Sequence, residues 1–306
     1  MEDLADNKGM PTGDRWYLSG GLYDEAPELS LDDKVERAVT ALRVYEPKAL
    51  ELDRENGYHL CFSGGKDSVV IKRLAQMSGV RFESWYSQTT IDPPELVRFI
   101  RRHHPDVRWI RPKKPFFSRM PDKNIPTRMH RWCCDEYKEQ GGKGKVKIIG
   151  VRSAESPRRQ EQWEVWMPWR GGAYCLCPIL KWTDEDVWAF IHKNDLPYCS
   201  LYDEKEPRFT RLGCVGCPLA GDARWKEFAR WPQFERLWRK AVYAWYERHK
   251  GKLTRKGTPY KLATFSTPEG LWKWWMTGGK YTEPQVGESE ETLFGEEGEQ
   301  CTMGQG

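Results

Sequence analysis

Short apolar runs alternate with amphipathic stretches along the middle of this 306-residue chain. Apolar runs of four to eight residues are typical of strands, whereas apolar residues three and four positions apart are typical of helices. The pattern predicts strands at 58–62, 80–87, 106–112 and 145–152, and helices at 31–54, 66–78, 94–103 and 183–194. Strands that alternate with helices indicate an α/β fold, a doubly wound and mostly parallel sheet with right-handed crossovers.

The later part of the chain has a different pattern. Residues 222–250 carry many aromatic side chains at helical spacing, with Pro232 between them, which predicts one interrupted helix or a helix pair. The pattern divides the chain into an N-terminal segment with a lead-in helix (1–56), a nucleotide-binding α/β domain (57–200), a helical, Cys-containing and Trp-rich region (201–280) and an acidic tail (281–306) that we expect to be disordered. In the first helix, we expect Pro47 to cause a break or kink.

Charge is unevenly distributed along the chain. Seven Glu and no Lys or Arg follow Lys280, so removing this tail from the net charge of +4 leaves residues 1–280 at +11. A basic body suits a polyanionic partner such as a nucleotide, DNA or RNA, although a solvated surface explains the charge equally well. No apolar run has membrane-spanning length and no secretory signal precedes the fold, so we expect a cytoplasmic protein with no membrane partner.

The sequence SGGKDS stands between the strand predicted at 58–62 and the helix predicted at 66–78. Adjacent glycines let the backbone approach a phosphate closely, and their amides form an anion cradle together with the helix N-terminus. The hydroxyls can donate to phosphate oxygens, whereas the carboxylate is expected to hold Mg²⁺ or to orient a neighbouring side chain. The predicted contacts come from Ser63, Gly64, Gly65, Asp67 and Ser68. The alternative is a tight turn without a ligand.

Four cysteines form a second candidate site. Cys133 and Cys134 are adjacent, and Cys214 and Cys217 form a C-x-x-C motif about eighty residues later. A C-x-x-C motif alone fits zinc, a redox pair or an iron–sulfur centre. Four thiolates are what a [4Fe–4S] cluster requires, so the two pairs together favour a cluster. Structural zinc and unliganded thiols are the alternatives.

Two further cysteines, Cys175 and Cys177, form a C-x-C sequence. They fit a redox pair, although buried small side chains are the simpler interpretation.

Both motifs resemble those of known families. SGGKDS is similar to the SGGxDS loop of the N-type ATP pyrophosphatases, which cleave ATP between the α and β phosphates and adenylate a substrate. The cysteine arrangement, "GVRSAESPRR" (150–159) and "PILKWTDEDVW" (178–188) resemble the adenylylsulfate and phosphoadenylylsulfate reductase family, which shares the adenine-nucleotide α-hydrolase fold. The resemblance implies that the nucleotide site also contains Arg152, Glu155, Ser156, Arg158 and Arg159. The arginines would contact phosphate or sulfate oxygens, and a solvated basic loop is the alternative.

The chain departs from the reductases at two points. Their tail motif Glu-Cys-Gly-Leu-His carries a nucleophilic cysteine, but here the only tail cysteine, Cys301, lacks the following His and has three Glu nearby that raise its pKa. Reductases often carry degenerate loops, whereas this chain has the complete SGGxDS. A complete pyrophosphate cradle favours ATP-dependent adenylation, as in the iron–sulfur sulfur-transfer enzymes of DNA phosphorothioation and tRNA thiolation.

The resemblance therefore implies an enzyme that binds ATP with Mg²⁺, releases pyrophosphate and adenylates a substrate for sulfur transfer. Lys66, Asp67, Arg152 and Arg158 would be its catalytic residues, and Cys133, Cys134, Cys214 and Cys217 would hold its cluster. Its partner would be a sulfur donor such as a cysteine desulfurase, or a thioredoxin-like reductant. The alternatives are a reductase that forms sulfite and a nucleotide- and cluster-binding subunit without its own catalysis.

Two segments interleave Arg and Lys with aromatic residues, at 98–114 and 224–250. Such surfaces bind phosphate backbones and stack bases. In the second segment the apolar residues follow helical spacing, which favours packing over nucleic-acid binding. These residues are Trp225, Phe228, Phe234, Leu237, Trp238 and Ala241.

Overall fold

The computed structural model of the protein describes residues 29–169 and 173–283. Within these residues one sheet contains the strands β1 (Tyr58–Cys61), β2 (Phe82–Ser87), β3 (Arg108–Ile110), β4 (Lys147–Ile148), β5 (Trp166–Trp169) and β6 (Ala173–Leu176). The strand order is β3-β2-β1-β4-β6-β5. Neighbouring strands are parallel except β5 and β6, which are antiparallel. The predicted α/β class with a mostly parallel sheet is confirmed.

The helices of the described residues are α1 (Leu31–Leu52), α2 (Lys66–Ser78), α3 (Pro94–His103), α4 (Phe116–Arg119), α5 (Pro157–Gln162), α6 (Asp184–Lys193), α7 (Ala223–Arg230), α8 (Pro232–His249) and α9 (Pro268–Met276). The predicted bounds of α2 and α3 are confirmed. Helices α1, α2 and α6 pack against one another, and α8 packs against α7 and α9. Among the same residues, no helix has the length and apolar character needed to cross a bilayer.

The strand pair β5–β6 is absent from the sequence-based prediction. Pro168 lies inside β5 and pairs with Tyr174 of β6. Proline has no N–H to donate, so it argues against a strand unless that strand lies at an edge of the sheet. Strand β5 is such an edge, which explains how the sheet accommodates Pro168 and why the sequence pattern did not indicate the pair.

The prediction that Pro47 breaks the first helix is wrong, because α1 continues to Leu52. Ser30 caps its start, since its hydroxyl accepts the N–H of Asp33 at 3.2 Å and the Asp33 carboxylate accepts the N–H of Ser30 at 3.2 Å. Tyr45 and Ala49, on either side of the proline, are buried in the core. Their packing offsets the one backbone hydrogen bond that proline removes.

One continuous hydrophobic core contains buried residues from Ala38 to Met276. The aromatic segment divides into α7 and α8 at Pro232, as predicted, and Phe228, Phe234, Trp238 and Ala241 are buried. The packing prediction is wrong for Trp225 and Leu237, which are 54 % and 42 % exposed. The predicted domain bounds stay predictions, and the acidic tail beyond 283, with Cys301, lies outside the described residues.

Candidate nucleotide site and cysteine cavity

The SGGKDS loop lies at the carboxyl end of the central strand β1. The chain runs from β1 to β2 on one side, whereas β4 flanks β1 on the other, so the strand order reverses here. Open α/β sheets bind ligands at this kind of switch point. Gly64 has φ +77°, and a Cβ atom there would lie 2.7 Å from Ile100 and 2.8 Å from Leu96 of α3. Only glycine fits this turn.

The loop uses its hydroxyls internally in this structure. The Ser68 hydroxyl donates to the Gly65 carbonyl at 2.7 Å, and the Ser63 hydroxyl accepts the Gly65 N–H at 3.3 Å. Contact of either hydroxyl with phosphate therefore stays a prediction. No side chain caps α2, and the N–H of Lys66 donates to the Tyr202 hydroxyl at 3.1 Å. The N–H of Lys66, at the N-terminus of α2, therefore points towards Tyr202.

Four charged side chains meet directly behind the loop, and we call them the charge quartet: Lys66, Asp67, Arg152 and Asp184. Arg152 donates through Nε to Asp67 at 2.6 Å and through Nη2 to Asp184 at 2.9 Å. Lys66 Nζ lies 3.1 Å from Asp184 and 3.5 Å from Asp67. Both cationic residues are only 4 % exposed. The quartet carries no net charge, and each buried cation has its counter-charge.

Asp184 and Tyr202 are members of this site that the sequence did not indicate. Asp184 stands in the first turn of α6, where an acidic residue is expected for the helix dipole alone. Its pKa is lowered: partial burial raises it, but the hydrogen bond and charge of Lys66 and the charge of Arg152 outweigh that effect. Asp184 therefore pairs with two of the predicted catalytic residues, Lys66 and Arg152, which in turn pair with the third, Asp67. Sequence patterns do not distinguish this carboxylate from a helix cap.

The segment 152–159 forms one hydrogen-bonded unit. The Glu155 carboxylate accepts the N–H of Arg152 at 3.1 Å and forms an ion pair with Arg159. The Ser156 hydroxyl caps α5 by accepting the N–H of Arg159 at 3.3 Å. Burial lowers the pKa of Arg159, and the nearby charge of Arg211 adds to this. The side chain of Arg158 lies outside the described part of the structure, so its predicted role stays a prediction.

All four predicted cluster cysteines, Cys133, Cys134, Cys214 and Cys217, line one cavity of about 640 Å³. We call it the cysteine cavity. Its cationic lining residues are Arg131, Lys138, Arg159, Arg208, Arg211 and Lys226. Glu227 is the only carboxylate among its described lining residues. The cavity therefore presents a strong excess of positive charge to an anion or to ionised thiols.

The C-x-x-C loop is held in place by α7 and α8. Trp238 donates from Nε1 to the Val215 carbonyl at 2.9 Å, and the Glu227 carboxylate accepts the Gly216 N–H at 2.7 Å. Gly216 has φ +77°, and a Cβ atom there would lie 2.4 Å from Trp238. Burial raises the pKa of Glu227 to about 7. The buried aromatic face of α8 thus positions the second cysteine pair.

The first cysteine pair begins the π-helical turn Cys134–Lys138. Hydrogen bonding from Cys133 lowers the pKa of Cys134 to about 6 and raises that of Cys133. Burial raises the pKa of Cys214 to about 11, and the charge of an ionised Cys214 raises the pKa of Lys138. Lys138 is thus placed to neutralise a thiolate on the opposite pair.

The four cysteines are the candidate donor set for the predicted centre. Within the described residues, no group of three His, Cys, Asp or Glu side chains is placed to bind a metal ion. Four thiolates are the ligands that a [4Fe–4S] cluster takes, one on each iron, and they also suit zinc. Since the four thiols line one cavity, they fit such a centre by their chemistry, and both the cluster and zinc stay predictions.

The remaining C-x-C pair lies away from this cavity. Cys175 and Cys177 are fully buried, with their sulfurs 3.7 Å apart. Their mutual hydrogen bond, together with burial, raises the pKa of Cys175. Both thiols are therefore core side chains in this structure.

The charge quartet and the cysteine cavity are contiguous. Lys66 donates from Nζ to the carbonyl of Thr210 at 3.3 Å, and Thr210 lines the cysteine cavity. Arg159, which the sequence places with the nucleotide, lines it as well. The loop residue Lys66 therefore contacts the wall of the cavity that the four cysteines line.

The sequence profile of the phosphoadenosine phosphosulfate reductase domain matches residues 57–220, which contain the loop and all four cysteines. The chain belongs to this family. The predicted family is thereby confirmed, and the match begins one residue before β1 and ends just after the C-x-x-C motif.

Several known proteins are similar to the chain. Two uncharacterized proteins of Methanocaldococcus jannaschii are 29 % and 25 % identical, over 65 % and 84 % of this chain. The adenosine 5'-phosphosulfate reductase of Staphylococcus haemolyticus is 28 % identical over 46 % of this chain and 61 % of its own length. The chain spans about half the length of the two archaeal proteins, 52 % and 55 %.

Among solved structures, the chain is matched to the phosphoadenylyl-sulfate reductase of Candida auris, with 15 % identity and a TM-score of 0.43 over 62 % of this chain and 97 % of that one. The FMN adenylyltransferase of Candida glabrata has 18 % identity and a TM-score of 0.42 over 87 % of this chain and 79 % of that one.

Proposed function

We propose that this protein binds ATP with Mg²⁺ at the SGGKDS loop, cleaves it to AMP and pyrophosphate, and adenylates an acceptor for sulfur transfer. The contact between Lys66 and Thr210 carries the proposal, because it joins the complete pyrophosphate loop to the cavity of four cysteines. An adenylated acceptor and a sulfur-handling centre must be neighbours if one enzyme performs both steps. The excess of cations around the cavity supports an anionic substrate there.

The chain's own residues supply binding and charge stabilisation for the first step. Loop amides and Lys66 bind the β and γ phosphates, and Asp67 is placed to hold Mg²⁺ once Arg152 turns to the nucleotide. An acceptor oxygen attacks the α-phosphorus, the bond to the bridging oxygen breaks, and pyrophosphate leaves with the electron pair. Arg152 and Arg159 then stabilise the charge that develops on the phosphate oxygens.

The second step replaces oxygen by sulfur on the acceptor. Hydrosulfide from a sulfur donor attacks the carbon that bears the AMP ester, the carbon–oxygen bond breaks, and AMP leaves with the electron pair. A cysteine desulfurase is one class of partner that supplies such sulfur. Cys133, Cys134, Cys214 and Cys217 would hold the [4Fe–4S] cluster, which when bound supplies electron transfer and a site for sulfur.

Product analysis tests this proposal. Anaerobically purified protein is incubated with ATP labelled at the α and γ phosphates, Mg²⁺, sulfide, and total RNA or DNA as acceptor pool. We expect acceptor-dependent AMP and pyrophosphate, reduced at least 100-fold in Lys66→Ala and Asp67→Asn. Lys193→Ala is the matched control, because Lys193 forms an ion pair with Asp32 at the surface. Formation of ADP and phosphate would contradict the proposal.

The relatives named adenosine 5'-phosphosulfate reductase support a second candidate, a reductase that forms sulfite from an adenylylsulfate. Sulfite release with a thioredoxin-like reductant, lost in Cys301→Ser, would establish it. Cys301 lies outside the described residues, so the structure supplies no geometry for that nucleophile.

A further inference from the structure

A second basic cavity adjoins the cysteine cavity, because Tyr137 lines both. It has a volume of about 510 Å³, and residues 110–114 form one wall at the end of β3. Glu136, Tyr137 and Gln140, from the segment that begins with the cysteine pair, form the other wall. We call it the 110–114 cavity.

Positive charge dominates this cavity. Arg111, Lys113 and Lys114 line it and are exposed. Glu136, the only carboxylate among its described lining residues, already pairs with Arg119 at 2.9 Å and with Lys123 at 3.3 Å. The three cations of the 111–114 wall therefore attract anions from solution rather than a wall carboxylate.

The positive surface continues beyond the cavity along the edge of the sheet. Residues 98–114 contain seven Arg and Lys, all exposed, and a single acidic residue, Asp106, which pairs with Lys72 at 2.7 Å. The guanidinium of Arg101 lies over the Trp109 ring at 5.2 Å, and that of Arg108 lies over Trp85 at 5.5 Å. Arg108 also pairs with Glu83 at 2.7 Å, whereas the stacked guanidinium of Arg101 lies at the surface with donors available to phosphate.

Tyr137 lies between this basic surface and the cysteine cavity. Its side chain lines both the 110–114 cavity and the cysteine cavity, and its hydroxyl donates to the Lys114 carbonyl at 2.9 Å. One side chain thus separates the two cavities. A polymer whose backbone lies along the basic edge can place its neighbouring unit at the cysteines.

We infer that the 110–114 cavity and the adjoining edge of β3 and α3 bind the phosphodiester backbone of a nucleic-acid acceptor. A mononucleotide would fill the cavity alone, whereas successive phosphates engage both the cavity and the edge. The inference rests on the proposed function for the statement that the bound nucleic acid is the acceptor. The binding itself is independent of ATP cleavage.

Fluorescence anisotropy with labelled 20-residue oligonucleotides tests the inference, as single-stranded DNA, as RNA of the same sequence and as duplex DNA. The test variant is R111E/K114E. The control K252E/R255E has the same charge change at exposed positions that line neither cavity. We expect at least tenfold weaker binding in the test variant and less than twofold in the control. The slope of log affinity against log salt should fall by about 1.4 for single strands, since each lost phosphate contact removes about 0.7.

Three results would overturn the inference: equal loss in both variants, no binding by the wild-type protein, or inorganic polyphosphate competing as strongly as the oligonucleotides. The K113Q variant is a milder change that controls for misfolding of the double variant. It should lower the slope of log affinity against log salt by about 0.7. ATP cleavage is measured on the same samples. Oligonucleotide binding without ATP cleavage would refute the proposed function alone, whereas ATP cleavage with unchanged oligonucleotide binding in R111E/K114E would refute the surface alone.

Discussion

The charge quartet and the cysteine cavity are neighbours that differ in charge balance. In the quartet, two cations and two carboxylates neutralise each other at 2.6 to 3.5 Å. Six cationic side chains and one carboxylate line the cysteine cavity instead. Preorganised ion pairs hold a reacting group in place, whereas unbalanced charge attracts a ligand. Under the proposed function, the quartet positions the nucleotide, and negative charge from thiolates or substrate balances the cations of the cavity.

The largest effect is expected at the cavity. Cys217→Ser should abolish cluster binding, because the remaining three thiols leave one iron without its ligand. The measurement is iron and sulfide content with the visible spectrum of anaerobic protein, where the wild type should hold about four irons per chain. Cys61→Ala, at the end of β1 and away from the cavity, is the control and should keep its iron. Iron retained in Cys217→Ser would remove this cysteine from the ligand set.

The next effect concerns the quartet. Arg152→Ala leaves Asp67 and Asp184 with Lys66 as their only cation in the quartet, and Arg152 is 4 % exposed. Removing one partner of a fully buried ion pair costs about 3–5 kcal/mol. Since Lys66 remains and both carboxylates are partly exposed, the free energy of unfolding in urea should fall by less than this. Arg152→Lys keeps the charge but loses the planar guanidinium that donates to two carboxylates at once. This variant should lose less stability than Arg152→Ala while still losing ATP affinity. Equal stability of wild type and Arg152→Ala would mean that the quartet does not form.

A smaller effect tests the loop that carries the quartet. Gly64→Ala combines positive φ with a steric clash on α3, whereas Gly79→Ala, at φ +73°, meets no atom within 4 Å. The shared backbone strain costs about 1–2 kcal/mol in each variant. The clash should add about 1–3 kcal/mol in Gly64→Ala alone. Equal unfolding midpoints for the two variants would contradict the close approach of α3 to the loop.

The smallest effect is a pH dependence. The pKa of Asp184 lies below its usual value in the folded protein, so its ion pairs stabilise the fold above the unfolded pKa and are lost as pH falls through the folded pKa. Wild type should therefore lose more stability than Asp184→Asn as acid is added below about pH 4, where carboxylates titrate. The difference should be about 1 kcal/mol or less, because half of the side chain is exposed. Parallel acid-unfolding curves for the two proteins would contradict the assignment.

The features that the sequence predicts are local, and those that it misses depend on distant residues. Two glycines between a strand and a helix indicate the phosphate loop because the whole motif spans six residues. The quartet joins Asp67 to Arg152 across 85 positions and Arg152 to Asp184 across 32, so no local pattern distinguishes Asp184 from a helix cap. The sequence does not predict the exposure of Trp225 for a similar reason, since helical spacing indicates an apolar face of the helix but not what covers that face.

The β5–β6 pair shows the same limit in the sheet. Pro168 argues against a strand unless the strand is known to be an edge, and edge position is a property of the assembled sheet. The sequence predicts the four cysteines of the cysteine cavity as one set, because four thiols in two pairs are rare outside metal sites. Their common cavity and its six cations required the fold.

Ligand competition tests the central claim most directly, because it needs no acceptor. Binding of ATP with Mg²⁺, pyrophosphate and adenosine 5'-phosphosulfate is measured by calorimetry on one anaerobic preparation. A loop built for departing pyrophosphate predicts that ATP binds at least tenfold more tightly than adenosine 5'-phosphosulfate, and that pyrophosphate displaces ATP. Tighter binding of adenosine 5'-phosphosulfate, with no competition by pyrophosphate, would contradict adenylation and favour sulfite formation.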